Sequence, residues 1–366
     1  MIKFRRKNIT SSHIFILAWI IMLIHICVAN SSYSSYSLKY VSYIGLIIIF
    51  LKIIITKYTK REMILSFFIL AFSIISSYKT SDMRTVWFAL FLVGAKNVNF
   101  DKIVKATFYT MLSCCTIFII FSLFGIVSIT SVSSVKGIRY SFGLGHPNMA
   151  SAYYSIIISL FCYLRKDKIK IWNLLTFWGL GIGVYLLTKS MTGLVICSFY
   201  VILMLLFKSG VLKIKFIKYL IFITLVLVIA FFTIAPITYN SNLSKINEML
   251  TGRISQSNYY INKYGVNLWG NNVFKDLNSK TTDNILDDGY IRILMVNGLV
   301  SYIFVLYGYI KILNATLRIE NYNLFNLICF FILYLCVENV ATYIFMNVTF
   351  LLFKTIIFKE DESEYT

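Results

Sequence analysis

Charge is what this sequence has least of. Only 14% of its 366 residues are Asp, Glu, Lys or Arg, whereas a soluble domain carries roughly 25%. That deficit argues against water as the main solvent, and a mean hydropathy of +0.77 agrees. Acidic residues are the scarcer sign, 15 against 35 basic, and there are 3 histidines and 2 prolines. The seven cysteines (Cys27, Cys114, Cys115, Cys162, Cys197, Cys329, Cys336) all fall in apolar runs. No CxxC or Cys/His spacing occurs, so they read as small packed hydrophobes rather than a disulfide framework or a metal centre. A Walker loop, an HExxH and a GxSxG are also missing, which leaves ATP hydrolysis, zinc hydrolysis and serine hydrolysis without support. No metal and no cofactor is expected.

What the chain does have is long apolar runs from end to end. About 20 apolar residues suffice for one bilayer crossing. These runs are continuously apolar rather than alternating, which selects helices over a barrel. The expectation is an all-α integral membrane protein, residues 1–366 forming a single polytopic domain. About twelve spans are read, near 13–29, 38–55, 63–77, 84–95, 105–129, 149–164, 172–188, 193–207, 216–236, 290–310, 324–336 and 342–357. The fourth is the shortest. The first, behind MIKFRRK, mimics a signal peptide but is read as an uncleaved span.

Alternate connections are basic: KYTKRE (57–62), the region from Lys96 to Lys105, RKDKIK (165–170), KSGVLKIK (208–215), and Lys311 with Arg318. The connections between them, such as NSSYSSYS (30–37) and VENVAT (337–342), have almost no Lys or Arg. The positive-inside rule then places both termini in the cytoplasm. Most of the net charge of +20 is therefore topology and contact with anionic lipid, and nucleic acid is not expected as a partner.

Three outward segments exceed a turn: 130–148, 188–192 and the large external loop 237–289 between the ninth and tenth spans. RYSFGLGHPNM (139–149) gathers an arginine, a histidine, a proline and an asparagine. Gly143 and Gly145 permit a tight backbone, and Pro147 and Asn148 suit the first turn of the next helix. The structural reading is a helix start; the functional one is an anion site built by Arg139, His146 and free helix N–H groups. Arg253 is either a solvated loop charge or a planar fork for phosphate oxygens. Asp287 and Asp288 either favour the positive end of the tenth helix or serve chemistry. Glu338 lies among apolar residues at the outer turn, where a carboxylate is expensive unless it has a partner or a role. Lys189 in LTKSMTG is a similar case.

In the placement of RYSFGLGHPNMAS (139–151), LTKSMTGL (187–194), LTGRISQSNYYINKYGVNLWG (250–270), LDDGYIRILMVNG (286–298) and ENVATYIFMN (338–347), the chain resembles bacterial polysaccharide polymerases of the Wzy type, relatives of the O-antigen ligases. The likeness covers nearly the whole architecture. It departs at Ser190-Met191-Thr192, where the family often has Ser-Arg-Thr, and at Asp287-Asp288, where it often has Asp-Asn. The resemblance implies undecaprenyl-diphosphate-linked oligosaccharide repeat units as substrate, with a flippase and a chain-length regulator as partners, at the outer face of a bacterial cytoplasmic membrane. It implies transfer of the growing chain from its lipid carrier to a sugar hydroxyl of the next unit. Arg253 and Arg139 would contact the diphosphate, with Asn148 and Lys189 as further binding residues. His146, Asp287, Asp288 and Glu338 would deprotonate or orient the acceptor, and Tyr290 would stack on a sugar. A ligase that passes polymer to another acceptor and a lipid-linked oligosaccharide transporter are the competing readings.

Overall fold

A computed structural model of the chain describes residues 2–33, 39–133, 137–274 and 286–358. It is almost entirely helical, with one short hairpin. Among the described residues seven helices are long and apolar enough to cross a membrane: Ser11–Ala29 within α1 (Ile2–Ala29), α3 (Lys60–Thr80), α5 (Phe100–Leu123), α7 (Ile171–Thr188), α8 (Met191–Lys208), Phe216–Ile237 within α9 (Lys215–Ile237), and Gly289–Arg318. Each answers to one of the twelve expected spans. Shorter apolar helices stand at α2 (Lys39–Ile55) and α4 (Arg84–Gly94). The helix α6 (Pro147–Leu164) buries Ser151, Ser155 and Ser159 together with Tyr153, so it belongs to the interior.

The centre of the bundle is Tyr322–Val337. All but two of its 16 residues are buried, and a helix covered by protein on every side is a core element rather than a lipid-facing one. It packs against α6, α8, α9 and the helix that begins at Gly298. Enclosure explains why it needs no full span length.

Two expected spans are not continuous helices. The tenth is a one-turn helix (Gly289–Arg292), a π-helical turn (Ile293–Asn297) and a long helix (Gly298–Arg318). Gly298 has φ +90, and a Cβ there would lie 2.3 Å from Leu268 O and 2.5 Å from Gly270 N. The break admits the extended strap 265–274, which supplies partners for the freed backbone groups: Asn271 N donates to Met295 O at 2.7 Å, and Leu299 N to Asn267 O at 2.9 Å. The expected twelfth span, 342–357, is corrected too. Residues Val348–Phe353 are 3₁₀ and only Lys354–Phe358 is α-helical. Asn347 is the cause. Its Nδ2 donates to Ala341 O (3.0 Å) and to Tyr309 Oη (2.9 Å), while its Oδ1 accepts from Thr349 Oγ1 (2.5 Å). Irregular backbone at membrane depth persists only where protein encloses and satisfies it.

The fifth expected span ends at Leu123 rather than near 129. Beyond it, β1 (Thr130–Ser133) pairs antiparallel with β2 (Gly137–Tyr140). The loop 237–289 is not an open loop where it is described, residues 275–285 lying outside the described set. It carries α10 (Ser244–Met249) and α11 (Arg253–Tyr264), and α11 buries Arg253, Ile254, Ser257 and Tyr260 along one face.

Contacts sort into two ends of the bundle. At one end Lys52 donates to Lys96 O (2.7 Å), Lys96 pairs with Glu62 (2.5 Å), Lys354 donates to Val98 O, and Tyr163 Oη donates to Asp101 (2.6 Å). At the other, Ser32 N donates to Gly143 O (2.9 Å), Asn272 bonds Ser81 (3.2 Å) and Asn297 bonds Thr85 (2.7 Å). The basic connections 57–62 and 96–105 therefore share one end, and the polar segments of the candidate site share the opposite one.

Substituting Gly298→Ala is expected to lower stability by about 1–3 kcal/mol, because φ +90 and the carbonyl of Leu268 both oppose a Cβ. A depressed thermal midpoint with faster proteolysis within 265–274 would show it; an unchanged midpoint would mean the strap does not depend on this contact.

Candidate functional site

The site forms where three chain segments meet at the end opposite the lysine cluster. The first is the helix start at His146. His146 is the N-cap of α6 and its Nδ1 accepts from Asn148 N at 3.1 Å. Pro147 occupies the first turn, where its missing N–H costs nothing. Gly145 has φ +73, and a Cβ on it would meet Asn30 O at 2.4 Å. The glycine thus lets the α1–α2 connection lie directly on this turn. An Nδ1 that accepts leaves the imidazole proton on Nε2. Burial and the neighbouring Arg139 also hold the His146 pKa below its ordinary value, against a smaller opposing pull from Asp287. His146 is therefore neutral at pH 7, a helix cap with an N–H to offer rather than a free base.

Arg139, on β2, is 7% exposed. Its Nε donates to Thr188 O (2.7 Å) and its Nη2 to Asn148 Oδ1 (2.7 Å). Thr188 is the last residue of α7, so the guanidinium meets the negative end of that helix and ties the hairpin to α6 and α7. Lys189 caps α7 in the left-handed conformation (φ 51), with its ammonium beside Gly137 of the hairpin.

The second segment is α11, which begins at Arg253. Its guanidinium is 6% exposed and joins the third segment, the turn after Val337. Nη2 stands 3.3 Å from Glu338 Oε1, 3.2 Å from Thr192 Oγ1 and 3.8 Å from Asp287 Oδ2. Nη1 is buried and has no hydrogen-bond partner among the described residues. A buried donor left unmade costs about 1–3 kcal/mol, more on a charged group, and such orphans concentrate at functional sites. Asp287 also accepts from Asn339 Nδ2 at 3.0 Å, which binds the 286–288 segment to the Glu338 turn.

Asp288 is 2% exposed and caps the helix at Gly289, accepting from Ile291 N at 3.1 Å. Burial raises its pKa to about 8, although the backbone hydrogen bonds pull the other way. Burial also raises Glu338, to about 7, helped by Asp287 and opposed by Arg253. At neutral pH the cluster therefore holds a proton on Asp288 and is poised between its two forms at Glu338, so its carboxyls do not fully offset the two arginines. That balance suits an anion.

No protein-family description and no characterised protein matches the sequence.

The structure brings together Arg253, Glu338, Asp287 and Asp288, with Arg139, His146 and Asn148 alongside. It corrects one expectation outright. Tyr290 is fully buried, its hydroxyl donating to Ile332 O at 3.3 Å, so it is a core residue and presents no face to a sugar. The loop aromatics are mostly enclosed as well: Tyr260 is buried and Trp269 stacks on Phe72. Tyr259 is the exposed one, at 44%. With Tyr239, Asn258, Asn262 and Lys263 it lines an open polar depression on the outer side of α11. Reasoning from sequence missed Thr192 and Asn339 as partners of the charged cluster, and missed α11 as a helix. The spacing of Ile254, Ser257, Tyr260, Ile261 and Tyr264 is the signal that was there to find.

Because Glu338 and Asp288 lie above their unfolded values of 4.5 and 3.8, folding takes up protons. Their stabilising contribution is complete below about pH 4 and is lost as pH rises through about 7 and about 8 respectively. Stability should thus fall across this window. Thermal melts recorded against pH should show that fall, with a shallower slope in Glu338→Gln; an identical slope in the variant would assign the titration elsewhere.

Proposed function

We propose that the protein polymerises undecaprenyl-diphosphate-linked oligosaccharide repeat units at the outer face of a bacterial cytoplasmic membrane, by metal-independent glycosyl transfer. The observation that carries this reading is Arg253: a buried guanidinium held between Glu338, Thr192 and Asp287, with Nη1 unpartnered among the described residues. The reading includes twelve crossings, the last made by the irregular segment 342–357 rather than by one helix, and both termini in the cytoplasm, the orientation that puts the basic connections inside. It is supported by the gathering of Lys52, Lys96 and Lys354 at the bundle end opposite the charged site.

The chemistry joins a hydroxyl of the incoming unit to the anomeric carbon of the growing chain. A new C–O bond forms, the bond to the lipid diphosphate breaks, and the hydroxyl gives up its proton. A diphosphate is already a weak base and leaves without a general acid. It does need its growing charge stabilised by preorganised donors. Arg253 supplies Nη1 for this, and Arg139 adds positive potential beside it. Asp287, the most accessible carboxylate of the cluster with 22% of its side chain exposed, takes the proton or passes it to Glu338, whose pKa near 7 fits a group that both accepts and releases it. The amides and Tyr259 on α11 offer hydrogen bonds and a ring face to the saccharide.

Arg253→Lys keeps the charge but loses the fork, so expression should persist while activity falls by a hundredfold or more. The measurement is a gel of lipid-linked and surface saccharides from cells lacking the gene, complemented with wild type or variant. Single repeat units accumulating on the outer leaflet, with long polymer lost, would support the polymerase. Long lipid-linked polymer that persists unattached would mean a ligase. Units stalled on the cytoplasmic leaflet would mean a transporter. Wild-type polymer from Arg253→Lys would remove Arg253 from the site.

A further inference from the structure

A second feature lies beside the charged cluster. A cavity of about 590 Å³ opens between α3, α4, the broken helix Gly289–Arg318 and the irregular segment before Phe350. Its walls are Phe72, Phe88, Val300, Phe304, Val305 and Phe350. Phe67 (67% exposed), Phe68 (64%), Ile75 (42%) and Val300 (43%) form its outer edge. These residues lie on two of the helices long and apolar enough to span a membrane, so the groove opens sideways, toward lipid.

One end of the groove is charged. Arg84 and Asp82 pair at 2.6 Å, and Arg84 also donates to Tyr343 Oη. Arg292 lines the same cavity and is 8% exposed. Its Nη1 reaches Leu286 O at 3.5 Å, the limit of a hydrogen bond, and its guanidinium lies 5.8 Å from the Phe274 ring. Among the described residues no carboxylate stands within 4 Å of it. A buried cation without an anionic partner is strongly unfavourable. Asp82 and Asp287 act on Arg292 only from beyond ion-pair distance, so the charged side chains that line the groove, Arg84 and Arg292 against Asp82, leave one net positive charge at the head of an apolar slot. Lys79, placed over Trp269 at 5.8 Å, adds positive potential at the rim.

We infer that this groove is a binding site for an anionic phospholipid, one acyl chain lying between Phe72, Phe88, Phe304 and Phe350 and the phosphodiester meeting Arg292. The volume falls within the roughly 300–1,000 Å³ of ligand pockets, and the apolar walls match a hydrocarbon chain. The charge count selects the head. One net positive charge matches a phosphodiester monoanion, whereas a diphosphate carries more charge than the site offers. A lipid seated there would brace the strap through Trp269 and the 343–350 segment through Tyr343 and Phe350. The inference stands apart from the transferase reading, since it concerns residues outside the Arg253 cluster and is read out by lipid retention rather than by polymer.

The full-length protein, purified in mild detergent, would be examined by native mass spectrometry with dioleoylphosphatidylglycerol, dioleoylphosphatidylcholine, undecaprenyl phosphate and inorganic pyrophosphate as separate probes. Phosphatidylglycerol should be retained at least tenfold better than phosphatidylcholine. Arg292→Gln should erase that preference. Ser301→Phe and Ala71→Phe, which obstruct the groove and leave every charge in place, should cut retention by a similar factor with an unchanged thermal midpoint. Should Arg292→Gln fail to fold, the two groove variants decide the matter. Equal retention of phosphatidylglycerol in the groove variants and the wild type would overturn the proposal. So would displacement of phosphatidylglycerol by undecaprenyl phosphate, which would make the occupant a polyprenyl carrier, or binding of pyrophosphate without any lipid.

Discussion

The contact on which the candidate site depends is the buried pair between Arg253 and Glu338. It is the point where three separate pieces of chain are pinned to one another: the helix that follows the ninth span, the turn after the central helix, and, through Thr192, the start of α8. Taking two charges out of water costs several kcal/mol each, and this pair recovers part of that cost only with its flanking groups in place. Asn339 holds Asp287, and Asp288 caps the helix behind it. Among the described residues one guanidinium nitrogen of the pair has no partner, which is why the arrangement reads as a site rather than as a strut.

The same logic governs the backbone. Where the chain departs from helix inside the bundle, at Gly298 and around Asn347, a side chain or a neighbouring strap supplies the missing hydrogen bonds. The strap 265–274 is drawn under the break at Gly298, and Asn347 holds the loop after Glu338. These irregular places flank both the charged cluster and the lateral groove. A continuous helix in either position would carry its residues past the site instead of turning them into it.

The resemblance and the structure meet unevenly. Clustering of Arg253, Asp287, Asp288 and Glu338 follows from their shared scarcity in an apolar chain, since isolated charges at that depth must find one another. His146 and Tyr290 show the limit. Both stand in the most distinctive motifs, yet one caps a helix through Nδ1 and the other lies inside the core. Motif position alone does not tell whether a polar group points at a ligand or at its own backbone.

Composition and periodicity by themselves determined the solvent, the helical class and most of the span positions, because apolar length and the alternation of basic connections are local properties written along the chain. They also marked RYSFGLGHPNM, whose glycines prove to make room for the α1–α2 connection. Tertiary structure alone decided that the last apolar run is not one helix, that α11 lays Arg253 against Glu338, and that Arg292 shares a groove with the Arg84–Asp82 pair but, among the described residues, has no carboxylate within 4 Å. Partners 85 residues apart for Arg253 and Glu338 are set by packing around the central helix, and no local pattern encodes which distant residue a buried charge will meet.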